Sequence, residues 1–321
     1  MKTNAHSTVA VSAVFLGLLT TFLPSHSFAS SLLIAGFGGD TVGEFDRTSG
    51  AFTGFFASHP SMDGPTAMVY GGDGNLYVLN EFSKNVLRFN GTTGAFIDEF
   101  ISMAGFIAAG VSDPGDMEIG PDGNFYISSH FSEFDSPNTA VWKFDAGTGA
   151  LLSDFASFGA FSHTHGLAFG PGGKMYMNDL GAAVIRQFNS ATGAYIGVFA
   201  SNPLLSLGAD LAVAPDGSIY VACDGGNGVQ HFSSTGAFLG SLIAPGPSQS
   251  YWGILIDGGS LYVGNKTTGV VKEFTDTGTF VADRFTGVPG PFDMIPKIVP
   301  EPSGALILLG ALAITFRRAR R

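Results

Sequence analysis

The chain has 321 residues, 45% of them apolar, with a formal net charge of −11 and one cysteine, Cys223. This length and apolar content support a large core and exclude a disordered chain. The acidic balance argues against nucleic acid or an anionic membrane surface as partner, and a lone cysteine excludes an intrachain disulfide.

Residues 1–29 read as a secretory signal peptide. Lys2 supplies the positive start, Val9 to Leu23 is largely apolar, and Ser27-Phe28-Ala29 is a small-x-small cleavage site, with a cut after Ser30 as the alternative. The body that follows is more acidic than the whole: residues 30–297 carry 10 Lys and Arg against 25 Asp and Glu, a formal net charge of −15. Cations, neutral sugars and basic proteins are the partners compatible with that charge. Cys223 ends an apolar strand signal and is expected to be a small buried residue.

A Ser/Thr-Gly pair recurs six times, at Ser49-Gly50, Thr93-Gly94, Thr148-Gly149, Thr192-Gly193, Thr235-Gly236 and Thr277-Gly278. The glycine-to-glycine steps are 44, 55, 44, 43 and 42 residues, a period typical of propeller blades. Each unit holds an inner apolar strand, an Asp-Gly or Gly-Gly turn, a Tyr-bearing second strand, a third strand ending at Phe, the Ser/Thr-Gly turn and a fourth strand. In the second unit the turn is Asp73-Gly74, and glycine there accepts the positive φ a tight hairpin demands. Phenylalanines hold the register at spacings of seven and four, as in Phe45, Phe52 and Phe56, and are expected to pack between blades. The first unit lacks an inner strand. Pro291-Phe292-Asp293-Met294-Ile295 matches the inner-strand starts Pro114-Gly115-Asp116-Met117 and Gly208-Ala209-Asp210-Leu211. The expected fold is therefore all-β, a six-bladed propeller of four-stranded blades over 30–297, with the C-terminal strand completing the N-terminal blade.

The segment Gly120-Pro121-Asp122-Gly123-Asn124-Phe125-Tyr126-Ile127 and its copy at 214–221 resemble NHL repeats, and are similar to the gluconolactonase/regucalcin and streptogramin-lyase propellers. The resemblance implies that metal and substrate sit on the face where inner strands start and second strands end. That face gathers Asp116, Asp210 and Asp293 with His165, and from second-strand ends Asn80, His130, Asn178, Asp179, Asp224 and Asn265. Two insertions, within 101–113 and 130–139, flank Asp116 on the same face, and insertions on one face of a repeat protein mark a binding face.

Two readings of these residues stand side by side. Asp116, His165, Asn178, Asp210 and Asp224 form a candidate set for a divalent cation, calcium if the carboxylates and amides dominate or zinc if the histidines His130, His163 and His165 do. Alternatively, an Asp at an inner-strand start accepts backbone N–H bonds from its neighbours, and Asn80, Asp179 and Asn265 are turn residues. The first blade offers no Glu at the position where lactonases carry an acidic ligand, His165 has no Glu partner of the kind streptogramin lyases use, and no nucleophile or phosphate-loop motif is present.

At the C-terminus Pro300-Glu301-Pro302 precedes an apolar run over 304–316 and the cluster Arg317, Arg318, Arg320 and Arg321. As a helix those apolar residues reach about 20 Å, short of a ~30 Å hydrocarbon core. The segment, 298–321, resembles the PEP-CTERM sorting signal of exopolysaccharide-producing Gram-negative bacteria. That resemblance implies transient inner-membrane anchoring, processing by an exosortase and a cell-surface or extracellular destination. The leading expectation is an exported, non-catalytic propeller that binds an exopolysaccharide or surface protein. The alternative is a metal-dependent lactonase-like hydrolase or lyase working on the inserted face.

Overall fold

The repeat folds into six antiparallel four-stranded sheets set as blades around a central channel. The computed structural model describes residues 30–129, 139–157, 164–247 and 249–298; the expected signal peptide and nearly all of the expected sorting signal lie outside the described residues. Blade 1 is built from both ends of the body. Pro291–Pro296 lies innermost and pairs with Ser31–Gly36, followed outward by Thr41–Asp46 and Phe52–Ser58. Blades 2 to 6 follow in chain order, with inner strands Pro65–Tyr70, Pro114–Ile119, Thr164–Gly170, Gly208–Val213 and Tyr251–Asp257. Each inner strand touches the inner strands of both neighbours, so the ring closes and leaves no blade with an open face.

The core lies between blades. Tyr77, Leu79 and Val86 of blade 2 pack on Phe125, Ile127 and Trp142 of blade 3. Equivalent clusters fill the other five interfaces, including the one between blades 6 and 1. Cys223 is fully buried in one of them, and burial pushes its thiol up to about 12, as suits an inert packing residue.

The Ser/Thr-Gly glycines are required twice over. Their φ values run from 69° at Gly193 to 86° at Gly278, the left-handed region. They also carry the blade-to-blade contact: a Cβ on Gly94 would fall 1.7 Å from the Phe56 carbonyl oxygen of blade 1, and one on Gly193 1.8 Å from that of Phe155 in blade 3. Upstream, Asp46 Oδ1 accepts the Ser49 N–H at 2.7 Å, and Asn90, Asp145 and Asn189 cap their turns likewise. In blades 5 and 6, one residue shorter, the Ser233 and Thr275 hydroxyls take over.

The phenylalanine register differs from expectation at its middle member. Phe45 and Phe56 are buried between blades, whereas Phe52 is 50% exposed and Phe96 40%. The middle residue opens the outermost strand, which has no neighbour beyond it; its ring leans on the third-strand ring, as in Phe89–Phe96 at 5.7 Å between centroids, and Phe96 also stacks on His59 at 3.9 Å.

The insertion at 101–113 folds as a short helix, Met103–Ala109. Ser102 Oγ caps it by accepting the Gly105 N–H at 3.2 Å, Gly110 ends it at φ 81°, and Phe106 is driven into the interface of blades 2 and 3. The second insertion lies outside the described residues over 130–138, as do His130 and His163. Among the described residues no helix is long and apolar enough to cross a membrane, and the segment 304–316 lies outside them.

Candidate ligand channel and its upper rim

Every inner strand starts with a bulge, followed by the residue paired to the middle of its second strand: Met68, Met117, Leu167, Leu211, Ile254 and Met294. The residue just before this position alternates round the ring. It is Asp293, Asp116 and Asp210 in blades 1, 3 and 5, and Ala67, Gly166 and Gly253 in blades 2, 4 and 6.

The alternation has a physical cause. Asp116 Oδ1 accepts the Met117 N–H at 2.7 Å and Oδ2 accepts the Leu167 N–H of blade 4 at 2.7 Å. Asp210 does the same with Leu211 at 2.7 Å and Ile254 of blade 6 at 3.0 Å. Asp293 holds Met294 and Met68 of blade 2, both at 2.6 Å. Each carboxyl group thus staples its blade to the next by accepting two backbone N–H bonds, one from either blade. The intervening glycines let the backbones meet. A Cβ on Gly166 would lie 2.7 Å from Asp210 Cα, and one on Gly253 2.1 Å from the Phe292 carbonyl oxygen. Gly253→Ala is therefore expected to cost about 2 kcal/mol through forced separation of blades 6 and 1, read as a shift in the urea midpoint; an unchanged midpoint would show that the strands part freely. Asp116→Ala leaves two backbone N–H groups without their acceptor and is expected to cost about 2 kcal/mol on the same measurement. A neutral outcome would rule the staple out as a stabilising contact.

Further bonds lock the rim. Ser128 Oγ accepts the Asp116 N–H at 3.1 Å and donates to the His165 carbonyl at 2.7 Å. Asn178 accepts the His165 N–H at 3.2 Å and donates to the Gly208 carbonyl at 2.7 Å. Asp179 is buried in an ion pair with Arg186 at 2.6 Å, Asn80 donates to Asn85 Oδ1 at 3.0 Å, and Asn265 caps a turn through the Thr267 and Thr268 N–H groups, both at 3.0 Å. Asp224 sits on the rim and accepts from Ser250 Oγ and the Gly225 N–H.

The channel holds about 650 Å³ and is lined by Asp116, Asp210, Asp293, Glu118 and His165 among apolar side chains. Burial raises all four carboxyls. Asp116 rises to about 7 with the nearby Asp293 adding to the effect, and Asp293 rises to about 6. Asp210 and Glu118 stand well above the usual range, pushed by burial and then by Asp116 and Asp293.

The described residues do not gather into a site for a calcium or zinc ion, and His130 and His163 lie outside them. Such an ion requires several donors converging on one point, and no group of three or more His, Cys, Asp or Glu side chains does so among the described residues. Of the expected set, Asp116, Asp210 and His165 line the channel, whereas Asn178 is consumed between blades 4 and 5 and Asp224 lies out on the rim. The three channel aspartates are spread round a ring, with both oxygens of each already accepting an N–H bond.

Sequence reading missed the aromatic mouth of this channel. Phe37 packs on Phe82, Trp252 and Phe292 at 5.1–5.3 Å, and Phe292 reaches His165 at 5.2 Å. Lys266 Nζ lies 3.1 Å from the centre of the Trp252 ring, and burial lowers its pKa against the pull of Asp224 and Glu81. Phe37 and Phe82 come from turns and Trp252 and Phe292 from inner strands, so the four share no local motif; an aromatic at the start of the inner strand, at Trp252 and Phe292, was the available signal.

Ring, staples and channel define a six-bladed β-propeller fold with four-stranded antiparallel blades. No family model matches the chain, and no curated protein matches it. Among solved structures it is similar to a chain of the nidogen/laminin complex, at 14% identity and TM-score 0.63 over 82% of this chain and 97% of that one. It is also similar to a protein of unknown function from Bacteroides caccae, at 14% identity and TM-score 0.60 over 84% and 100%. A gluconolactonase from Xanthomonas campestris matches at 18% identity and TM-score 0.52 over 74% and 84%. At these identities the likeness is one of fold.

Proposed function

We propose that the chain is an exported propeller that binds a matrix exopolysaccharide or a surface protein through its upper rim. The supporting observation is apolar surface beside the channel mouth: Phe82 is 55% exposed, and Met103 and Ile107 on the inserted helix are 45% and 66% exposed. The two loops are tied together by Lys84 Nζ, which donates to the Ser112 carbonyl. Exposed apolar side chains grouped on the inserted face are the usual mark of a docking surface. The signal peptide at 1–29 delivers the chain to export. The Pro300-Glu301-Pro302 segment, the apolar stretch 304–316 and the terminal arginines hold it briefly in the inner membrane for an exosortase-type enzyme. The alternative, a metal-dependent lactonase-like hydrolase or lyase, would need convergent ligands, and no group of three or more His, Cys, Asp or Glu side chains converges among the described residues.

The test is expression of the full chain in a Gram-negative host that carries an exosortase. Mass spectrometry is expected to find an external product cut near residue 29 and within the tail. Phe82→Ser with Ile107→Ser is expected to lower retention on the host's exopolysaccharide and surface proteins by about tenfold or more, with the melting temperature unchanged. An uncut cytoplasmic chain refutes export, and undiminished retention refutes the rim.

A further inference from the structure

The channel has two chemically distinct halves. Its upper part carries Asp116, Asp210 and Asp293 with Thr66 and His165, and its lower part is walled by residues such as Val69, Leu255, Ile256 and Ile295. Glu118 intrudes a carboxyl into a layer whose other members are Val69, Ala168, Ala212, Leu255 and Ile295. Among the described residues no Lys or Arg lines the channel, and the charges acting on Glu118 are those of Asp116 and Asp293. Thr66 is a second, independent oddity. It is only 2% exposed, it lines the channel, and its Oγ1 has no hydrogen-bond partner. A buried hydroxyl without a partner costs about 1–3 kcal/mol and calls for an explanation.

We propose that this channel is a binding site for a small organic ammonium ion carrying an apolar stem. The three aspartates have spent one lone pair of each oxygen on backbone N–H bonds, and each oxygen keeps another for a donor inside the ring. Their circular spacing suits a multi-donor cation larger than a bare metal ion, in keeping with the lack of any convergent metal cluster among the described residues. Glu118 supplies a carboxyl that is not engaged in stapling and that a bound ammonium would hold in its ionised form, Thr66 Oγ1 supplies an acceptor, and the aliphatic lower wall takes the stem. A volume near 650 Å³ falls in the range of small-molecule sites. At the mouth the protein already holds an ammonium in this manner, with Lys266 over Trp252 and near Asp224. The site stands independently of export and of docking at the rim.

Isothermal titration of the purified full chain with n-hexylammonium, 1-hexanol and calcium chloride tests this. The expected result is one hexylammonium bound per chain, with no saturable heat from hexanol or calcium. Glu118→Gln, which keeps the shape and removes the charge, is expected to weaken hexylammonium about tenfold or more, and Thr66→Val about threefold. Neither variant touches a staple, so both are expected to melt at or above the wild-type temperature. Equal binding of hexanol, saturable binding of calcium alone, no binding of hexylammonium up to ~10 mM, or an unchanged affinity in Glu118→Gln would each overturn the proposal.

Discussion

Truncation after Gly290 abolishes cooperative folding. The cut removes the inner strand of blade 1 and with it the pairing of Leu32, Leu33 and Ile34 with Pro296, Ile295 and Met294. Phe292 and Met294, 3% and 2% exposed, leave the core, at about 1.5–3 kcal/mol each. The Asp293 staple to Met68 goes as well, so blade 2 loses its inner contact. Blade 1 is then a three-stranded sheet with an open inner edge, and the ring is interrupted between blades 6 and 2. The sum is of the same order as the whole stability of a domain, about 5–15 kcal/mol. Urea unfolding followed by circular dichroism is expected to show no sigmoidal transition for the truncated chain, while truncation after Ile298 keeps the wild-type midpoint. A cooperative transition at the wild-type midpoint after the shorter cut would mean that the C-terminal strand does not close the ring.

The period, the blade count and the closing strand were legible because they rest on local backbone demands. A left-handed φ at Gly94 or Gly193 and a capped turn at Asp46 or Asn90 leave a mark in the sequence wherever they occur. The aspartates at inner-strand starts were legible as a set for the same reason, and the reading of them as backbone acceptors matches the bonds they make. Their alternation with Ala67, Gly166 and Gly253 was not legible, because a small residue has meaning there only through the backbone of the next blade. Radius was not legible either: the sequence places donors on one rim but carries no measure of how far each lies from the axis, so Asp224 and Asn178 were grouped with Asp116 although they bond at the rim and between blades. Exposure of Phe52 and Phe96 was hidden by a register that treats all phenylalanines alike, whereas the edge position of the outer strand decides.

Between about pH 5 and pH 8 the propeller is expected to lose stability, by of order 3 kcal/mol. The groups responsible face the channel from three inner strands, Asp116 and Glu118 from blade 3, Asp210 from blade 5 and Asp293 from blade 1, with the His165 ring facing them from blade 4. Asp116 has an ordinary value of 3.8 and stands at about 7 in the folded chain, raised by burial and by Asp293. The folded state thus keeps a proton that the unfolded chain has released. The stabilisation tied to that proton is complete below about 4 and is lost as pH rises through about 7. Asp293, at about 6, completes its loss earlier. Each such proton contributes a slope of roughly 1 kcal/mol per pH unit across its window, and water in the channel trims the total. At the acid end Asp122 holds near 2 in spite of its partial burial, because Lys143 and Asn124 favour its charged form, so the turn it anchors survives to low pH. Urea midpoints at about pH 5, 6, 7 and 8 measure the curve. Asp116→Asn with Asp293→Asn keeps one acceptor oxygen at each staple and removes two titrations, so the variant is expected to be flatter across this range and to approach the wild type at its upper end. A wild-type curve that is flat or rising would show that the backbone N–H bonds outweigh burial and hold these aspartates ionised throughout. An undiminished slope in the double variant would place the titration in groups outside the staples.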